Sequence, residues 1–156
     1  MSSTGLIEGV VVKALITHRD ERGFFREIIR SSDDFFSDFG QWSHSAMYSG
    51  VAKAWHVHQK QIDWWYVASG VLKVALYDLR ENSPTQGQVQ ELLMGDHQPA
   101  QVLKIPQRVA HGCRCLSGPA HLFYITSRIY DPNDEGRIDH DDESIGYDWT
   151  ALPPIK

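Results

Sequence analysis

The sequence predicts an all-β protein built as a sandwich or barrel, and two observations carry that expectation. Short runs rich in Val, Ile, Thr and aromatic residues dominate the chain, and Gly, Pro, Asn, Asp and Ser punctuate them at short intervals. The strands expected in order are 10–16, 24–29, 44–48, 52–58, 64–68, 71–79, 89–93, 102–105 and 120–129. Ser69-Gly70 reads as a tight turn between two of them, and 82–87 and 94–99 as loops. One short helix is expected at 33–39, with Ser31 or Ser32 as its N-cap. So many short strands at this spacing mean a sandwich or barrel.

With 156 residues and five Trp, the chain can bury one ordinary core and is expected to form a single domain over 1–156, with its core at about 9–130. From Asp131 onward the composition turns polar and acidic, with Pro132, Gly136 and Gly146. This tail, 131–156, is expected to pack back on the barrel through Ile145, Tyr147 and Trp149.

Net charge is −5, and residues 128–156 account for all of it with eight acids and three bases. Neither part offers the basic face that nucleic-acid binding requires. An anionic small substrate would have to be held by a few placed Arg or Lys side chains. No apolar run reaches the roughly 20 residues needed to cross a bilayer. The stretch 9–17 is broken by Lys13 and runs into His18-Arg19-Asp20, which is not a secretory signal, so a cytoplasmic protein is expected. Cys113 and Cys115 sit two apart in an expected strand, where a disulfide between them would be strained; reduced structural thiols are expected.

The most informative segment runs from Gly50 to Gly70. In a strand, His56 and His58 point the same way together with Ala52 and Ala54, and two small residues beside two imidazoles leave room for a ligand. Downstream, Pro106 turns the chain toward a third histidine, His111. The spacing Gly-x5-His-x-His-x4-Asp-x6-Gly, followed by Pro-x4-His, resembles the two metal motifs of the cupin superfamily, with Asp63 where Glu is usual. That resemblance makes His56, His58, Asp63 and His111 a candidate metal set, suited to Zn, Fe, Mn or Ni. The plainer readings are hydrogen-bonded core histidines, a salt-bridged strand-end carboxylate at Asp63, and core roles for His18, His44 and His121.

A closer resemblance covers nearly the whole chain. Asp20-Glu21-Arg22-Gly23-Phe24-Phe25-Arg26-Glu27 is similar to the DERGFFxE segment of the dTDP-4-dehydrorhamnose 3,5-epimerases. Residues 78–85 resemble their DxRxxSPT loop, and 105–112 their IPxxxAHG turn. Tyr124, the stretch 130–136 and the stretch 142–149 follow the order of the family's C-terminal half. The resemblance implies a homodimeric double-stranded β-helix, the cupin or jelly-roll barrel, that uses no metal and no redox cofactor. It implies epimerisation of carbons flanking the keto group of a nucleotide-linked 4-keto-6-deoxyhexose. His56 aligns with the catalytic base, whose imidazole titrates near working pH, and Tyr124 with the acid on the far side of the ring.

Other positions carry over as substrate-binding. Arg22 and Glu27 align with residues contacting the nucleotide or the neighbouring subunit, and Gln41 and His111 with polar pocket positions; Lys53 and His58 are expected to bind substrate beside them. Phe25 and Tyr130 offer rings to stack on base or sugar. The chain also departs from the family, which has Arg where Lys53 stands, Asn where Ser43 stands, and an enolate-stabilising lysine where Asp63 stands. Its C-terminal LSxKD segment, whose Asp partners the catalytic His, is missing; Asp142 or another acid would have to take its place. Two alternatives stay open: a metal-dependent cupin that holds a divalent ion on His56, His58, Asp63 and His111, and a non-catalytic sugar-binding cupin.

Overall fold

Alternation of inward and outward side chains, and the places where it slips, determines the architecture. The computed structural model describes residues 2–4, 6–153 and 155; Met1, Gly5, Pro154 and Lys156, the last two in the expected tail, lie outside the described residues. Its strands are β1 (Ser2–Thr4), β2 (Val11–Ala14), β3 (Thr17–Asp20), β4 (Gly23–Arg26), β5 (Gln41–Met47), β6 (Ala52–His58), β7 (Asp63–Asp78), β8 (Val89–Gly95), β9 (Gln101–Ile105), β10 (Val109–Thr126) and β11 (Glu135–Arg137).

The long strands β7 and β10 are the frame. They pair antiparallel along their whole lengths, from Asp63 opposite Thr126 to Asp78 opposite Val109. One half of this ladder carries β5 on β10 and the series β9, β2, β1 on β7; the other half carries β8 on β7 and the series β6, β11 on β10. The two halves close over a buried cluster that includes Val67, Leu72, Leu76, Leu103, Ile105 and Leu122, giving the jelly-roll barrel. β3 and β4 form a separate two-stranded hairpin. Among the described residues, no helix is long and apolar enough to cross a membrane.

Several sequence expectations need correction. Ser69-Gly70 is not a turn: the strands expected at 64–68 and 71–79 fall in one strand, β7, which is bent at Gly70 and ends at Asp78. Gly70 has φ +74°, and a Cβ there would lie 2.4 Å from the Cα of Ala120. Trp65 and Val67 reach the core before the bend and Leu72, Val74 and Leu76 after it, so the inward parity flips at the glycine. Likewise 120–129 is the far half of β10, which starts at Val109 and ends at Thr126.

The helix expected at 33–39 does not form, and the N-cap role of Ser31 or Ser32 falls with it. Two successive turns stand there instead, with Asp33 N donating to Arg30 O and Phe36 N to Asp33 O. Tertiary partners outbid the helix. The Asp33 carboxylate accepts the Arg30 N–H and pairs with Lys13 Nζ at 2.6 Å, while the Phe35 carbonyl accepts Trp64 Nε1–H. Phe35 thereby buries against Trp64 and Val102 on the outer side of the barrel.

On the opposite outer side, Trp149 is buried and Ile145 and Tyr147 pack with it against Trp55 and Val57. Lys73 Nζ donates to the Ala151 carbonyl beneath this layer. Both cysteines are free thiols in the core, and burial pushes Cys113 up to about 12, so it stays protonated and inert.

The loop after β7 is a closed polar knot. The buried Asp78 carboxylate accepts from Arg80 Nε and Nη2, Ser83 Oγ and Thr85 Oγ1, while Arg80 also donates to the Glu8 carbonyl. Burial alone would raise the Asp78 pKa, but these donors hold it far below the usual carboxylate range. Its contribution to stability is therefore complete above the unfolded pKa of about 3.9 and is lost as pH falls below that value. Asp78→Asn is expected to lower the unfolding free energy by about 3 kcal/mol at pH 7. In urea titrations the gap between variant and parent should narrow below about pH 4.

Candidate active site

The mouth of the barrel depends on how β6 meets β10. His56 pairs with His111, but Lys53 pairs with Cys113, so β6 carries one extra residue between them. Ala54 and Trp55 consequently both pack in the outer layer beside Val57 and Trp149. This corrects the expected face of Ala52, Ala54, His56 and His58: before the slip it is Lys53 that turns to the cavity, and after it His56 and His58. Gly112 permits the close approach, since a Cβ there would meet Ala54 Cβ at 2.5 Å and the Lys53 carbonyl oxygen at 2.8 Å.

The resulting cavity has a volume of about 290 Å³. His56, Tyr124, Gln41, Lys53, His58, Asp63, His111 and Tyr130 all line it, over an apolar floor of Met47, Trp65, Cys113 and Leu122. Tyr124 reaches it from the far half of β10, where it pairs with Ser43 on β5 and Trp65 on β7. Arg22, Phe25 and Glu27 do not reach it. They belong to the β3–β4 hairpin and the segment after it, where Arg22 pairs with Asp20, Glu27 with Arg30, and Phe25 stays exposed.

His56 faces Glu135, with Nδ1 3.3 Å from Oε1. Of the acids expected to partner His56, Asp142 is occupied with Ser144 N–H and O–H, and another acid, Glu135, stands at the imidazole. β11 brings Glu135 there by pairing with β6, Arg137 opposite His56. Its other contacts are Arg137 Nη2 at 3.3 Å and the Tyr130 hydroxyl at 3.4 Å. Burial lowers the His56 pKa below its ordinary value and Glu135 opposes that shift only in part, so the ring is a neutral base at neutral pH. Burial would raise the Glu135 pKa, yet Arg137 and His56 together hold it below the usual value, so it is ionised.

Glu135 is the candidate-site residue that sequence reasoning missed. It lies within the stretch 130–136 that matched the family in register, but nothing in its spacing ties it to a histidine 79 positions earlier. Its neighbour Asp134 is buried and accepts the N–H groups of Gln59, Lys60 and Gln61, which fixes the loop between β6 and β7. Gln61 Nε2 in turn donates to Asp63 Oδ1 at 2.7 Å, and Trp65 Nε1 donates to Asp63 Oδ2 at 3.1 Å.

His111 is buried beside this carboxylate. Its Nδ1 lies 3.1 Å from the Val109 carbonyl, which can only accept, so Nδ1 carries the proton. Burial depresses its pKa below the ordinary imidazole value, and Nε2 is left as a lone pair 4.0 Å from Asp63 Oδ2. The candidate metal set loses a member: ligand atoms of His58, Asp63 and His111 all lie within 4.8 Å of one another, while His56 stands outside this group with its Nδ1 against Glu135.

Comparison with known proteins converges on one family. The family described as dTDP-4-dehydrorhamnose 3,5-epimerase matches residues 4–155. The spore coat polysaccharide biosynthesis protein SpsL of Bacillus subtilis is 46% identical over 149 residues, covering 94% of this chain and 98% of its own. A dTDP sugar isomerase from Desulfovibrio desulfuricans superposes with a TM-score of 0.90 at 26% identity, over 97% of each chain. An epimerase from Legionella pneumophila, solved with dTDP-4-keto-L-rhamnose, superposes at 0.88 and 26% identity over all of this chain and 86% of its own. With the fold and nearly the whole sequence in agreement, the chain belongs to the dTDP-4-dehydrorhamnose 3,5-epimerase family of sugar-nucleotide epimerases.

Proposed function

We propose that the protein epimerises a nucleoside-diphosphate 4-keto-deoxysugar, with His56 as general base and Tyr124 as general acid. The observation that carries this reading is a neutral imidazole and a phenol lining one cavity, with an ionised carboxylate on the imidazole's Nδ1. A carboxylate at Nδ1 favours the tautomer with its proton there, which leaves Nε2 as the basic nitrogen. Nε2 takes the proton from the carbon next to the ketone, and the C–H electrons move into an enolate. The Tyr124 hydroxyl then gives its proton to the opposite face of that carbon. Exchange with solvent resets both groups.

The same reading assigns Gln41, Lys53 and Tyr130 to holding substrate in the cavity, and Arg22, Phe25 and Glu27 to a neighbouring copy's nucleotide site in a homodimer. In support of the second assignment, the β3–β4 hairpin stands apart from the barrel sheet and leaves Phe24 and Phe25 more than half exposed. Two buried free thiols accord with a reducing, cytoplasmic setting.

Incubated with dTDP-linked 4-keto-6-deoxyhexoses in D2O, the protein is expected to place deuterium next to the ketone, as read by proton NMR. His56→Ala should slow this by about 10²–10⁴-fold; absence of exchange across the panel, in metal-loaded and metal-stripped protein alike, would defeat the reading. Glu135→Gln removes the attraction that opposes burial at His56. The acid limb of its kcat/KM profile should therefore shift to lower pH, with a lower plateau from a weaker, less well-oriented base. Arg22→Ala is expected to raise KM by about tenfold, the size of one lost charge-assisted hydrogen bond, while kcat changes little in steady-state assays.

A further inference from the structure

We propose that His58, Asp63 and His111 form a divalent transition-metal site in the cavity wall, whose ion faces the substrate's ketone oxygen. The inference rests on the epimerase reading for the ion's role, but the site itself follows from geometry. The three residues project ligand atoms that lie within 4.8 Å of one another, a set that sub-ångström to ångström side-chain adjustments would bring to metal–ligand distances of about 2.0–2.2 Å.

Hydrogen bonding around the cluster fits a metal better than a structural ion pair. With its proton committed to the Val109 carbonyl, His111 presents a bare Nε2 to the Asp63 carboxylate across 4.0 Å. Two acceptors facing each other are satisfied by a shared partner between them, and a divalent cation serves both at once. Asp63 is itself fixed by Gln61 and Trp65, the arrangement in which outer partners orient a ligating carboxylate. Two imidazoles and one carboxylate suit Zn, Fe, Mn, Co or Ni and leave coordination positions open for water or substrate.

Charge around the cavity points the same way. Among the described residues lining it, three are acidic (Asp63, Asp131 and Glu135) and Lys53 is the one ammonium, with its Nζ at Ser45 Oγ. An enolate forming there needs positive potential, and the resemblance places Asp63 where the family has a lysine for that purpose. A bound cation beside Asp63 restores the sign that the substitution reverses.

The test uses full-length protein purified without a polyhistidine tag and stripped with a chelator. Titration with Co2+, followed by visible absorption, is expected to saturate at one ion per chain. His58→Ala and Asp63→Asn should each weaken binding by more than the roughly 10–100-fold that loss of an outer-shell partner causes. His56→Ala should bind as the parent does, and its retained binding checks that a substitution at this wall leaves the fold intact. Co2+ should also raise the thermal midpoint of the parent and of His56→Ala, but not of Asp63→Asn. Failure to bind, or affinity unchanged in both ligand variants, overturns the site. Deuterium exchange equally fast in stripped and Co2+-loaded protein overturns the ion's role while leaving His56 and Tyr124 as acid and base.

Discussion

The approach of β6 to β10 at Gly112 is the contact on which the rest of the cavity depends. A side chain at that position would strike the Lys53 carbonyl and Ala54, so only glycine lets β6 carry its extra residue without being pushed off β10. The slip sends Trp55 and Val57 outward to pack under the C-terminal segment and leaves Lys53, His56 and His58 facing inward. A perfectly regular strand would have to choose between burying Trp55 and presenting this combination of Lys and His. The same local irregularity therefore serves the outer core and the site together.

Polar groups at the mouth are held by fixed donors rather than by solvent. Asp134 ties down three consecutive N–H groups of the β6–β7 loop, and that loop supplies Gln61 to orient Asp63. Arg108 N donates to the His58 carbonyl at 2.7 Å, joining the β9–β10 turn to the end of β6. Such a network restricts the imidazoles and carboxylates to few arrangements before any ligand arrives, which is the condition for preorganised electrostatics. It also explains why the segment 131–137 matters although only three of its residues form a strand: it carries the loop clamp, Asp134, next to the imidazole's partner, Glu135.

Much of this was legible in the sequence, and the exceptions have physical causes. The alternating apolar runs revealed most of the barrel strands, and the His-x-His pair with the later Pro-x4-His located the cavity wall. Alternation could not reveal its own breaks. At Gly70 a parity flip inside a continuous strand looks like a turn, and at Lys53 a one-residue slip looks like an unbroken face. The short helix failed for a different reason, since the Asp33 carboxylate at its expected start pairs with Lys13 from β2. Glu135 was invisible because its role arises from the β6–β11 pairing, a contact that no local pattern encodes.

Two departures from the family pattern bear on one electrostatic problem. The imidazole of His56, the base we propose, takes its carboxylate partner from β11, which places Glu135 at its Nδ1. A carboxylate there strengthens the base, but it adds negative charge to a cavity that already has Asp63 where a lysine would stabilise an enolate. Base strength and enolate stability thus pull in opposite directions. Arg137 bridges to Glu135 from the exposed side and moderates only the first of these charges. The second is buried in the cluster with His58 and His111, and its hydrogen-bond donors, Gln61 and Trp65, carry no charge. A divalent ion held by those same three residues answers both demands, because it offsets Asp63 where the enolate oxygen would form and leaves the Glu135–His56 pair untouched.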